Sequence, residues 1–197
     1  MGHPIPLDSS AVPTMSEHLL KDGQIAQIRF AEPADFPTLG RVYAETYANA
    51  EGVNEHWEPE DAERMLSTIN KFPNHIGLVA TINDKIVGGS FGYCLPWQNG
   101  TKSFKQLETF VLPTLQKTGL GTHLREDRRK IAEVWYHPTD VELVTFSNIA
   151  HPKEWYRRLG FRTEKDLIIM TAPADTEKAN LQKEVASVTS AGERAQG

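Results

Sequence analysis

Residues 111–122 read Val-Leu-Pro-Thr-Leu-Gln-Lys-Thr-Gly-Leu-Gly-Thr, and the chemistry of this stretch lies mainly in its backbone. A β-rich run ends at Val111, Pro113 turns the chain, and a helical pattern opens around Gly119 and Gly121. Glycine has no Cβ, so the main chain there lets a ligand approach closely. The first N–H groups of a helix have no partner inside it, and the helix dipole adds partial positive charge at the same end. Together these suit a pyrophosphate, and Lys117 adds a salt-screened cation. Two other phosphate loops fail the comparison. The dinucleotide fingerprint G-x-G-x-x-G needs glycine where Leu124 stands, and the Walker loop needs Gly-Lys-Ser/Thr, whereas Lys117-Thr118 precede Gly119.

The elements that must position this loop follow from periodicity. Gln24–Phe30 reads as a strand. Asp35 is placed to cap a helix from Phe36, with Pro37 tolerated in its first turn and Phe36, Leu39, Val42, Tyr43 and Tyr47 along one stripe. Pro59 opens a second helix with Ala62, Met65, Leu66 and Ile69 inward. Ile76–Ile82 and Ile86–Tyr93 are β runs joined by Asn83-Asp84, a tight hairpin signal. Asn99-Gly100 marks the turn before Phe104–Val111, the strand that feeds the loop. Thr122–Tyr136 is helical, with Leu124, Ile131, Val134 and Trp135 near one side. Val141–Phe146 is another β run, Pro152–Leu159 a short helix ended by Gly160, and a last strand pair runs from Phe161 to Met170. The order β-α-α-β-β-β-α-β-α-β predicts an α/β fold with a mixed sheet and helices on both faces.

Residues 24–172 carry this pattern and form one domain. Residues 1–23 read as a flexible tail with a helical turn at Ser16–Leu20. Residues 173–197 read as a second tail, either disordered or a short helix on the Leu181, Val185, Val188 stripe. A net charge of −5 argues against a dedicated nucleic-acid binder and favours a cationic partner. Cys94 is the one cysteine, which predicts a buried free thiol and a reducing compartment. The first residues lack the basic and apolar regions of a signal peptide, and no apolar run reaches the length of a membrane span. A cytoplasmic protein with no membrane partner is therefore expected. The histidines show no metal-ligand spacing, so no metal is predicted.

Val-x-Pro-x-x-Gln-x-x-Gly-x-Gly, as it stands at residues 111–121, resembles motif A of the GNAT N-acetyltransferase superfamily. Tyr156-Arg157-Arg158-Leu159-Gly160-Phe161 resembles its motif B, Tyr-x-x-Leu-Gly-Phe, in the same chain order. The resemblance implies a GNAT fold, a mostly antiparallel six- to seven-stranded sheet flanked by about four helices. It also implies an acyltransferase that moves an acetyl group from acetyl-CoA to a primary amine, either a small cationic amine or a peptide amine. Carried over by position, Thr109, Phe110 and Val111 would hold the pantetheine arm by strand addition. Lys117, Thr118, Gly119, Leu120, Gly121 and Thr122 would hold the pyrophosphate, with Gln116 at the loop's entry. Asn148 would face the cofactor, one residue further from Tyr156 than the family spacing. Tyr156 matches the tyrosine that gives a proton to the departing thiolate. A homodimer is a further implication.

The base stays open between Glu108, Glu142 and water. Strand alternation puts Glu108 with Gln106 and Phe110, opposite Thr109 and Val111, unless a bulge re-aims it. The acceptor should enter near Glu45, Glu51, Glu55, Glu58, Glu60 and Asp61, with Tyr47, Trp57, Tyr93 and Trp97; acidic and aromatic groups together suit an ammonium, though a solvated helix face reads the same way. The alternative function is a non-catalytic acyl-CoA-binding sensor or interaction module.

Overall fold

The computed structural model describes residues 15–48, 50, 56–145, 150–164, 176–178, 180 and 182. The chain divides into two compact units, Met1–Trp155 and Tyr156–Gly197. In the first, the elements are β1 (Met15–Leu19), β2 (Ile25–Phe30), α1 (Phe36–Ala48), α2 (Pro59–Ile69), β3 (His75–Ile82), β4 (Lys85–Pro96), β5 (Lys102–Val111), α3 (Leu120–Tyr136) and β6 (Asp140–Leu143). Helix α4 (Ala150–Arg158) spans the boundary. The six strands among the described residues lie in chain order, every neighbouring pair antiparallel except β5 and β6. That parallel pair needs a crossover, which α3 supplies.

Local chemistry accounts for the joints. Asn83 and Asp84 both take positive φ, 48° and 62°, the requirement of a two-residue hairpin whose twist matches its strands. Asp35 does not cap α1 as expected. It lies in a short 3₁₀ turn before that helix and accepts the Glu32 N–H at 2.7 Å. The Arg29 guanidinium grips the same carboxylate at 2.7 and 2.8 Å, so Asp35 ties β2 to the start of α1.

The sheet separates two apolar layers. On one side α3 covers Ile28, Ile76, Leu78, Phe104 and Val111 with Leu120, Leu124 and Ile131, and Phe30 stacks on Trp135 at 5.3 Å. On the other, α1 and α2 cover Val79, Phe91 and Phe110 with Phe36, Leu39 and Leu66. Full burial of one such side chain contributes about 1.5–3 kcal/mol. Cys94 is buried, as expected. Val134, placed inward by the sequence, is 37% exposed.

The helical turn expected at Ser16–Leu20 is instead β1, paired with β2 from Met15↔Arg29 to Leu19↔Ile25. Its inward side chains are Ser16 and His18, which bond to Asp127 of α3. Polar residues on the covered face removed the alternation that signals a strand. The expected strand Val141–Phe146 is realised at Asp140–Leu143. Phe161–Glu164 are not in a strand, and residues 165–170 lie outside the described residues.

In the second unit, α4 ends in a Schellman motif. The Gly160 N–H donates to Arg157 O at 3.0 Å, the Phe161 N–H donates to Tyr156 O at 3.1 Å, and Gly160 has φ 90°. The Tyr156 and Phe161 rings complete it, with centroids 5.7 Å apart. Tyr-x-x-Leu-Gly-Phe is thus first a helix-stop signal.

Candidate functional site

β5 pairs with β6 only from Ser103↔Asp140 to Gln106↔Leu143. From Leu107 to Val111 its outer edge has no strand beside it among the described residues. The carbonyls and amides on that edge offer ladder groups for an extended ligand. Thr109, Phe110 and Val111 occupy this stretch, as the sequence placed them.

The strand then runs into the loop. Pro113–Leu115 form a 3₁₀ turn and Thr118 Oγ1 donates to Leu115 O at 2.7 Å, fixing the curl. Lys117 and Gly119 both adopt the left-handed backbone, φ 66° and 100°. For Lys117 this is a strained conformation, of the kind that collects at ligand sites. Gly119 is the N-cap of α3, and no side chain caps the helix. Among the described residues the N–H groups of Lys117, Thr118, Gly119 and Gly121 meet no acceptor, and Leu120 N reaches Thr118 Oγ1 only at 3.5 Å. The Thr122 N–H is taken: it donates to Gly119 O at 2.9 Å, so Thr122 retains only its side chain for a ligand. Gln116 and Lys117 are exposed, and Leu120 is wholly buried, so its main chain alone faces the cradle.

Gly121 tests whether the loop fits a diphosphate. A Cβ built there would meet only Val111 Cγ2 at 3.8 Å, an ordinary contact. Packing within the protein therefore does not demand glycine, which costs a helix interior about 1 kcal/mol relative to alanine. A diphosphate seated against the amides would demand it, and the open Cβ position fits such a group. His123, one turn in, is half-buried and stacks on His18 at 4.3 Å. Burial and then the neighbouring His18 push its pKa down, so the ring is neutral near pH 7.

Glu108 sits beside a register shift between β4 and β5: Phe91 pairs with Glu108 and Gly92 with Gln106, leaving Leu107 as the extra residue. This bulge corrects simple alternation. Gln106 bonds to Arg128 of α3, on one side of the sheet, while Glu108 accepts a hydrogen bond from the Tyr43 hydroxyl of α1 at 3.2 Å, on the other. Phe110 shares the Glu108 side and Thr109 faces Arg128. Tyr43 also meets Tyr47, Trp57 and Phe110, with centroids 4.6, 5.3 and 5.0 Å apart. A carboxylate among electron-rich rings is an environment for an ammonium.

Glu142 is placed differently. It lies in the paired part of β6, bound by Lys105 and accepting the Ser103 hydroxyl at 2.8 Å. These bonds, Lys105 first, hold its carboxyl below the usual range, which weakens it as a base. Tyr93 packs edge-on against Phe72, and Trp97 lies under Lys105, so neither joins the Glu108 cluster. Glu58, the N-cap of α2, pairs with His56 just before the helix, Asp61 pairs with Arg64 on the exposed face of α2, and Glu45 is exposed on α1. Glu51, Glu55 and Asn148 lie outside the described residues. Tyr156 is half-buried on α4 in the second unit.

Two features escaped the sequence. Tyr43 was read as apolar stripe, although its hydroxyl reaches the bulge. Arg128, four residues after Leu124 and three before Ile131, falls on the inward stripe of α3, and that spacing was its available signal.

No family model matches the sequence, and no curated protein matches it. Solved structures do match by fold. A GNAT family acetyltransferase from Staphylococcus aureus superposes with TM-score 0.57 at 15% identity, over 75% of this chain and 98% of that one. A ribosomal-protein-alanine N-acetyltransferase from Brucella melitensis gives 0.60 at 16%, over 75% and 99%. A transcriptional regulator from Bacillus halodurans gives 0.59 at 19%, over 75% and 99%. At such identities the likeness is one of architecture: the chain has the GNAT fold.

Proposed function

We propose that this chain is a GNAT-type N-acetyltransferase that binds acetyl-CoA and acetylates a primary amine. The observation that carries the reading is the continuity of β5: a strand edge open among the described residues at Leu107–Val111 leads within ten residues to the amides of Lys117, Thr118, Gly119 and Gly121, which meet no acceptor there. An elongated ligand with a hydrogen-bonding arm and a diphosphate matches both ends. The GNAT fold of the superposed acetyltransferases supports the same reading.

Acetyl-CoA supplies an activated acetyl thioester. The residues of the chain do the rest. The amides of Lys117, Thr118, Gly119 and Gly121 hold the diphosphate, and the edge of Thr109–Val111 orients the arm. A primary amine near pKa 10 is protonated at pH 7 and must lose a proton before it attacks. Glu108 takes that proton, directly or through a water, while Tyr43, Tyr47 and Trp57 hold the ammonium beside it. The resemblance of its motif assigns to Tyr156 the proton that returns to the departing sulfur. The acidic and aromatic surroundings favour a small cationic amine or a peptide amine, the latter in keeping with the alanine acceptor named for the Brucella protein.

A thiol-release assay over a panel of amines tests the proposal: turnover with at least one is expected. Tight binding of coenzyme A with no turnover on any amine would favour the second reading, a non-catalytic acyl-CoA sensor, in line with the transcriptional regulator that shares the fold.

A further inference from the structure

Arg128 is 2% exposed in the middle of α3, and its guanidinium points into the sheet. One terminal nitrogen, with two hydrogens to share, donates to Ser90 Oγ at 2.6 Å and lies within reach of Thr109 Oγ1 at 3.2 Å, Glu108 O at 3.3 Å and Phe91 O at 3.5 Å. The other donates to Gln106 Oε1 at 2.5 Å. Its Cζ lies over the Phe104 ring, 5.4 Å from the centroid. These acceptors belong to the residues on both sides of the register shift, where Phe91 pairs with Glu108 and Gly92 with Gln106.

Burying a guanidinium is costly unless its hydrogen bonds are met, and an apolar side chain would pack against Phe104 with no such cost. The position therefore asks what the arginine supplies. A bulge breaks the ladder and turns carbonyls away from their strand partners. Arg128 receives those carbonyls, Glu108 O and Phe91 O among them, with the adjoining hydroxyls. Ser90 Oγ and Thr109 Oγ1, 2.9 Å apart, close the network. In regular alternation Gln106 and Glu108, two residues apart, would share a face; the bulge at Leu107 puts them on opposite faces, Gln106 toward α3 and Glu108 toward Tyr43.

We propose that Arg128 is a positioning residue that clamps the β5 bulge from beneath and thereby holds the Glu108 carboxylate on the acceptor side. As a statement about catalysis this rests on the N-acetyltransferase reading; as a statement about the bulge it does not.

The test uses the full chain with Arg128→Met and Arg128→Lys, read by amide hydrogen exchange, steady-state kinetics and coenzyme A calorimetry. Arg128→Met is expected to speed exchange at Glu108, Thr109 and Phe110 by about tenfold or more, with Val79 and Ala80 of β3 unchanged. It should lower kcat about 100-fold through misplacement of the base, with a smaller loss of coenzyme A affinity, about tenfold or less, since Thr109 and Phe110 also carry the arm. Arg128→Lys, which keeps a donor, should recover part of both losses. Uniform acceleration of exchange, or a folded Arg128→Met chain with wild-type kcat, overturns the proposal. If Arg128→Met does not fold, Ser90→Ala removes one anchor and should shift the same readouts in the same direction; no shift there overturns it too. A wild-type chain that binds coenzyme A but acetylates no amine sinks the N-acetyltransferase reading, and the exchange pattern alone then decides whether Arg128 holds the bulge.

Discussion

Gly121 separates what the fold needs from what a ligand needs. Its Cβ position is open apart from an ordinary contact with Val111, and it lies in the first turn of a helix. Gly121→Ala should therefore keep or slightly raise the melting temperature, by up to about 1 kcal/mol of stability. The same change should weaken coenzyme A binding at least about tenfold, because the methyl group stands where the diphosphate must approach. Equal affinity in calorimetry would remove Gly121 from the site. Glu108→Gln should lower kcat by about 10²-fold and abolish the acid limb of the pH–rate profile, with cofactor affinity unchanged. Tyr156→Phe isolates the hydroxyl, since a phenylalanine keeps the ring against Phe161; a fall in kcat with an unchanged melting temperature supports the acid role, and unchanged kcat removes it. The glycine loop could be read because its backbone chemistry is local, whereas Tyr156 entered only through the resemblance of its motif. The partnership of Glu108 with Tyr43 was not legible, because it depends on a one-residue bulge that no local pattern encodes.

Elements were legible where their signals are local. The Asn83-Asp84 hairpin and the Gly160 helix stop follow from left-handed backbone that few residues adopt. Gly160→Ala should cost about 1 kcal/mol from strain alone, measurable by chemical denaturation. β1 was missed because its covered side chains, Ser16 and His18, are polar. The junction of β2 and α1 was misread because Asp35 looks like an N-cap and acts as an ion-pair partner. Burial opposes the charge on Asp35, but the Arg29 and Glu32 hydrogen bonds prevail and its pKa is lowered. A carboxyl whose folded value lies below its unfolded value contributes fully above the unfolded value, about pH 4, and loses that contribution as pH falls through the folded value. Asp35→Asn should thus cost about 2 kcal/mol at pH 7, and the difference from wild type should close in strong acid. A gap independent of pH would show that the ion pair is not its source.

At the scale of the molecule, fold and function come apart. The order of elements from β2 to α4 was legible from periodicity, and superposition on solved structures bears out the GNAT architecture. No described helix is long and apolar enough to cross a membrane. Architecture alone leaves activity open, since enzymes and a transcriptional regulator share it. The proposal therefore depends on the amides at the start of α3 and the open edge of β5 acting as one binding surface. Titrating coenzyme A into the full chain by calorimetry addresses this most directly. Saturable binding at one site per chain is predicted, with about 2.7 kcal/mol of added stability at a hundredfold excess over Kd. No heat of binding and no rise in melting temperature at millimolar coenzyme A, on the order of 1 mM, would contradict it.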